Sequence, residues 1–330
     1  MAQDDSPGGT PGGSPRKIII DTDPGQDDAV AILLALASPE LDVLGITAVA
    51  GNVPLPLTEK NARKIRALAG RTEVPVYAGA DRPLRRALVT AEAVHGRTGL
   101  DGPDLPEPAD PLGQEHAVDF IVGTLRDQPA GAVTLCTLGP LTNIALAFQR
   151  APELVSRIRE IVAMGGGAFE GGNTTPVAEF NILVDPEAAK AVLDAAHDAG
   201  VPVTMLPLDV THQARTRADR IARLRGIGTP VSAAVVAMLE FAERFDEAKY
   251  GTDGGPLHDP CVIAWLIAPE IFDGRVVNVE IETGSELTLG QTVVDWWGVT
   301  SRPRNVRFIR SIDADAFFAL LTERIARLSG

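Results

Sequence analysis

The chain has 330 residues, 45% of them hydrophobic, and a formal net charge of −14. That length and apolar content supply one large core or two ordinary ones. The acidic balance argues against nucleic acid as a partner, because phosphate backbones are held by clusters of Lys and Arg, and the basic run that stands out is Arg82-Pro83-Leu84-Arg85-Arg86.

Residues 1–16, rich in Gly, Pro and Ser, read as a disordered tail, and residues 17–330 as one domain. No signal peptide opens the sequence and no apolar run approaches the ~20 residues of a membrane span. Lys17-Ile18-Ile19-Ile20 is the β-branched run of a buried parallel strand, and residues 29–37, rich in Ala and Leu, predict a helix. Between them Asp21-Thr22-Asp23-Pro24-Gly25-Gln26-Asp27-Asp28 carries four carboxylates. They sit at the carboxyl end of a strand, where open α/β sheets bind ligands.

Acids this dense repel one another unless a cation or charged ligand compensates them. An oxygen-only donor set suits Ca²⁺ or Mg²⁺ rather than zinc. An EF-hand is excluded, since counting from Asp21 its glycine would fall on Gln26 and its bidentate glutamate on Ile32. The plainer alternative has Asp27 and Asp28 complementing a helix dipole and Asp23 capping a turn. It accounts for one of these acids better than for all four.

Further along, residues 41–50, 132–138, 158–164 and 201–206 read as strands, and residues 58–69 and 141–150 as helices. Strands alternating with helices predict βαβ units and a parallel sheet, hence an α/β fold. Residues 206–259 turn helical, and residues 231–248 could wall a site. Asn52 follows the second strand, Leu138 ends the third, and Gly165-Gly166-Gly167 follows Met164 without the Lys-Ser/Thr of a phosphate loop. Asn173, Glu179 and Asn181 form a polar group suited to several hydroxyls. Asp185, before Pro186-Glu187, reads as a helix cap, and Asp259, before Pro260, has the same signature. His95 lies in a Gly-rich loop. Cys136 and Cys261, in apolar settings, read as buried thiols in a reducing, cytoplasmic protein.

The run from Asp21 to Ala29 resembles the N-terminal signature of the inosine-uridine nucleoside N-ribohydrolases. Five later segments agree in order: Ala50-Gly51-Asn52, Leu138-Gly139-Pro140-Leu141-Thr142-Asn143, Met164-Gly165-Gly166-Gly167, Ala178-Glu179-Phe180-Asn181-Ile182 and His258-Asp259-Pro260-Cys261. The resemblance implies a single α/β domain with a Rossmann-like, mostly parallel central sheet flanked by helices, a bound Ca²⁺, and hydrolysis of the N-glycosidic bond of ribonucleosides. It also implies a homodimer or homotetramer.

Carried over residue by residue, the metal ligands are Asp23, Asp28, Asp259 and the backbone carbonyl of Leu138. Asp27, Asn52 and Asn181 fall toward the lower ribose hydroxyls, and Met164, Asn173 and Glu179 toward the 3′ and 5′ side. Asp23 is the expected general base, His258 the expected acid for the leaving base, and His95 lines the base pocket. Phe241 and Phe245 stand where some members of the family present tyrosines, as a wall that stacks without donating a proton. Two other classes compete. An aspartate-nucleophile phosphohydrolase would use Asp21 and Asp23, but lacks the expected Gly-Thr after the second Asp and leaves Asp27-Asp28 unexplained. A non-catalytic calcium-dependent nucleoside or ribose binder would keep the ligands without turnover.

Overall fold

The computed structural model describes residues 14–250 and 253–329, with the backbone alone for 245–250. Residues 1–13 of the expected tail lie outside the described residues, and Arg16, grouped with the tail by the sequence reading, already opens the first strand.

In chain order the elements are β1 (Arg16–Thr22), α1 (Gln26–Leu36), β2 (Leu41–Ala48), α2 (Leu55–Leu68), β3 (Val76–Ala78), α3 (Glu92–His95), α4 (Ala117–Asp127), β4 (Val133–Thr137), α5 (Thr142–Arg150) and β5 (Ile158–Met164). There follow α6 (Phe180–Val184), α7 (Pro186–Asp198), β6 (Val203–Leu206), α8 (Leu208–Thr211), α9 (Ala218–Gly226), α10 (Pro230–Tyr250), α11 (Pro260–Ile267), β7 (Phe272–Ile281), β8 (Thr292–Asp295), β9 (Val306–Ile312) and α12 (Ala314–Ile325). The strands form one sheet in the order β3-β2-β1-β4-β5-β6-β9-β7-β8. From β3 to β9 the pairings are parallel; β7 runs antiparallel to β9 and β8 antiparallel to β7.

The first six positions give the order 3-2-1-4-5-6 of a doubly wound nucleotide-binding sheet, with helices on both faces. The alternation of β1 divides the core. Ile18 and Ile20 pack on the side of α1, α10 and α11, whereas Ile19 packs on the side of α4, α5 and α7. Burial on both faces is why β1, β4 and β5 read as continuous apolar runs. Chain order reverses between β1 and β4, so the two segments leaving them diverge and open a crevice at their carboxyl ends. The acidic run leaves β1 there, and Leu138 leaves β4.

Helix α1 starts at Gln26, three residues before the apolar run that announced it. Asp27 and Asp28 therefore belong to its first turn, where carboxylates complement the helix dipole, and Asp28 Oδ2 accepts the Gly25 N–H at 2.9 Å. Apart from Asp27, the helix is buried along its whole length. Asp185 caps α7 as expected, accepting from Ala188 N at 3.0 Å. Among the described residues no helix is long and apolar enough to cross a membrane.

Candidate active site

A cavity of about 300 Å³ opens at the switch point. It is lined by Asp27, Asn52, His95, Leu138, Met164, Asn173, Glu179, Asn181, His258 and Asp259, all singled out in the sequence, together with Gln26, Phe180, Thr216, Leu239, Ala242 and Glu243, which were not.

Of the clustered carboxylates, Asp27 and Asp259 line the cavity, whereas Asp23 and Asp28 are buried and do not. Asp27, Asp28 and Asp259 each bring an oxygen within 4.8 Å of the others. Asp28 is held on both oxygens: Oδ1 accepts from Thr22 Oγ1 at 2.5 Å, and Oδ2 from Gly25 N and, at 3.3 Å, from Asn52 Nδ2. Asp23, fully buried, sits between Gly51 and Gly139, and a Cβ on either glycine would collide with its carboxylate. Its Oδ2 accepts from Asn52 N at 2.7 Å, while Oδ1 has no hydrogen-bond partner. Asp259 stands at the N-cap position of α11 but makes no capping hydrogen bond, so its carboxylate turns to the cluster instead.

Burial, then repulsion from neighbouring acids, holds Asp23, Asp28 and Asp259 above the usual carboxylate range. A buried carboxylate oxygen with no donor, among acids that repel it, is the environment a hard cation relieves. The all-oxygen donor set fits Mg²⁺ or Ca²⁺, so the cluster can hold a metal. The Leu138 carbonyl accepts from Asn181 Nδ2 at 2.6 Å and keeps a second lone pair.

The polar rim is equally ordered. Glu179 caps α6, accepting from the N–H groups of Asn181, Ile182 and Gly166, and burial pushes its carboxyl up to about 7. Asn181 Nδ2 also lies 3.5 Å from Met164 Sδ. Asn173 Oδ1 accepts from Phe180 N at 3.0 Å, tying the preceding loop to α6. His95 Nδ1 lies 2.6 Å from Gln26 Oε1, and Gln26 Nε2 donates to the carbonyls of His95 and Asp101, so α1 itself fixes that wall. Across the cavity, His258 Nδ1 lies 2.7 Å from Thr211 Oγ1, which orients the ring.

Among the described residues, three expected ones do not line the cavity: Asp23 and Asp28, which are buried, and Phe241. Phe241 is on α10, but the face that lines the cavity carries Leu239, Ala242 and Glu243, spaced i, i+3, i+4; Phe241 lies beside Gly102 instead. Phe245 belongs to α10, and its side chain is outside the described residues. Asp21 does not line the cavity either. It is buried behind it, accepting from Thr47 Oγ1 and Asn143 Nδ2, and burial pushes it up to about 7. Gln26 was in plain view in the acidic run; Thr211, Thr216 and the α10 face carried no local signal.

A sequence model described as inosine-uridine preferring nucleoside hydrolase matches residues 18–319. The chain is 54% identical over 312 residues to an uncharacterized protein of Schizosaccharomyces pombe, covering 94% of this chain and 99% of that one. It is 48% identical over 314 residues to the pyrimidine-specific ribonucleoside hydrolase RihA of Shewanella sp. (strain MR-7), covering 94% and 96%. Among solved structures, the purine-preferring ribonucleoside hydrolase from Gardnerella vaginalis superposes with a TM-score of 0.87 at 30% identity, covering 95% of this chain and 99% of that one.

Proposed function

Because the chain belongs to the inosine-uridine preferring nucleoside hydrolase family, whose activity is hydrolysis of nucleoside N-glycosyl bonds, we propose that it is a calcium-dependent hydrolase of pyrimidine ribonucleosides. The observation that carries this reading is the buried carboxylate cluster at the switch point, with one unpartnered oxygen on Asp23, beside a polar rim fit for a ribose. The pyrimidine preference is supported by the names of relatives near 48% identity, against about 30% for the purine-preferring structure.

Asp23, Asp28, Asp259 and the Leu138 carbonyl would hold the ion, with Asp27 beside them. A bound cation would offset the charge of the acids and lower the pKa of water. Asp27, Asn52 and Asn181 take the lower ribose hydroxyls, and Met164, Asn173 and Glu179 the 3′ and 5′ side, so C1′ is oriented toward Asp23. Asp23, whose Oδ1 accepts no hydrogen bond from the protein, takes the proton from water as the water oxygen bonds to C1′ and the C1′–N bond breaks. The sugar becomes cationic on the way, and the surrounding carboxylates stabilise that charge as it develops. His258 delivers a proton to the departing base, completing free base and ribose. His95 lines the base side of the cavity.

Two buried free thiols, Cys136 and Cys261, support a reducing, cytoplasmic setting. Exposed Leu287, Trp297 and Val299 offer apolar surface for a homodimer or homotetramer, which sedimentation would resolve. The activity is tested by ribose release from uridine, cytidine, inosine, adenosine and guanosine. The reading expects uridine and cytidine to exceed the purines; purine nucleosides turned over faster would reverse the preference, and no ribose from any in calcium-loaded protein would favour the non-catalytic binder.

A further inference from the structure

The opposite end of the sheet holds a second cavity, of about 480 Å³. It lies where the parallel strands begin: Arg16 opens β1, Arg159 and Glu160 lie near the start of β5, Val203 and Thr204 open β6, and Arg304 and Arg307 flank the start of β9. His197 and Trp265 complete its charged and aromatic lining. No residue of this cavity takes part in the chemistry above.

Its charge is opposite to that of the molecule. In a chain of net charge −14, four arginines line one cavity that contains a single carboxylate, Arg16 and Arg307 half-buried and Arg159 and Arg304 exposed at its mouth. That carboxylate, Glu160, is engaged by Arg16 Nη1 at 2.7 Å, and Arg159, Arg304 and Arg307 form no ion pair among the described residues. Burial lowers the proton affinity of Arg16, and the charge of Arg159 lowers it further, against the pull of Glu160. Like charges brought together without counter-charges are costly unless an anion joins them. A second observation is independent of charge: Trp265 is 5% exposed, and its indole Nε1–H is buried without a hydrogen-bond partner. A buried N–H with no acceptor is rare and calls for one.

We propose that this cavity is a second binding site, for a small anion carrying one or more phosphoryl groups. Guanidinium forks match phosphoryl oxygens in pairs, and the volume admits pyrophosphate or a small phosphate ester. Trp265 is also near the far end of α11, whose N-cap position is Asp259 of the catalytic cluster, so one buried helix spans the distance between the two sites.

The test is titration calorimetry of the full-length, calcium-loaded protein at low salt with inorganic phosphate, pyrophosphate and glycerol 3-phosphate. The last has neither ribose nor base. One bound anion per chain is expected, weakened roughly 100-fold by Arg304→Gln with Arg307→Gln, since each loss of a charge-assisted hydrogen bond costs on the order of tenfold. Trp265→Phe, which keeps the packing and removes the N–H, should weaken binding by about threefold. Nucleoside turnover without the anion should be unchanged in the arginine pair variant. Tighter binding of glycerol 3-phosphate than of phosphate would identify an ester as the ligand class, and the reverse the free anion; either supports the site. No binding of any of the three at about 5 mM, or equal binding in the arginine variants, overturns it. So does an anion displaced by free ribose, which would place it in the catalytic crevice.

Discussion

Gly139→Ala tests whether the position of the Asp23 carboxylate governs turnover. Gly139 does not adopt a positive φ, so alanine can take its backbone conformation. The new Cβ would stand 2.3 Å from Asp23 Oδ1 and 2.9 Å from its Cγ, whereas ordinary contact begins at 3.4 Å. The carboxylate must therefore shift by about 1 Å, and it cannot do so toward Gly51, where Oδ2 already fills the place of a side chain. A misplacement of that size costs about 10²-fold in rate, or roughly 2.7 kcal/mol of transition-state stabilisation. Overpacking itself should cost about 1–3 kcal/mol of stability, leaving the fold intact. The assay is kcat/KM for ribose release from uridine, with a urea melt alongside. Gly123→Ala is the control: its Cβ meets nothing within 4 Å, and inside α4 it should be neutral or stabilising by about 1 kcal/mol. A Gly139→Ala enzyme within about threefold of wild type would refute the reasoning, since a displaced Asp23 would then be catalytically indifferent.

Three further outcomes follow from the same site. Asp23→Asn should keep the fold and lose nearly all turnover, about 10³-fold or more for loss of the general base, measured by single-turnover ribose release; unchanged turnover would assign the water to another group. His258→Ala should slow uridine far more than a ribosyl substrate with a good leaving group; equal losses on both would remove His258 as the acid. Chelated protein should become less stable as pH rises. Asp21 and Glu179, pushed up to about 7 by burial, and Asp23, Asp28 and Asp259, also raised, are favoured protonated in the metal-free fold. The contribution of Asp21 and Glu179 is complete below the unfolded pKa near ~4 and is lost as pH climbs through about 7, and that of the other three is lost in the same direction. Thermal melts in chelator should fall from pH 5 to pH 8 and be restored by calcium; flat melts would refute the coupling.

The β1–acid run–α1 unit was legible because its signals are local: a β-branched run, a dense set of acids, and an Ala/Leu helix. Strands β4 and β5 were legible for the same reason, since strands buried on both faces leave unbroken apolar runs. The onset of α1 was not, because Asp is a poor helix former whose favourable place in the first turn comes from the dipole. Strands β7 to β9 went unread, as Gly274, Arg275, Asn278, Arg307 and Arg310 break the apolar pattern. At the site, ten of the lining residues were named from sequence, but the phase of α10 was not: a helix shows its periodicity locally, while tertiary packing decides that Ala242 and Glu243, rather than Phe241, meet the cavity. Pairings such as Gln26 with His95 and Thr211 with His258 join distant parts of the chain and leave no local trace.

The central claim is that the buried acids hold the cation on which ribosyl hydrolysis depends. It is tested most directly by elemental analysis of dialysed wild-type, Asp28→Ala and Asp259→Ala proteins, paired with ribose release from uridine on the same samples. One calcium per chain in wild type, loss of it in both variants, and turnover in proportion to bound calcium are expected. Full turnover by metal-free wild type, or stoichiometric calcium in both variants, would contradict it.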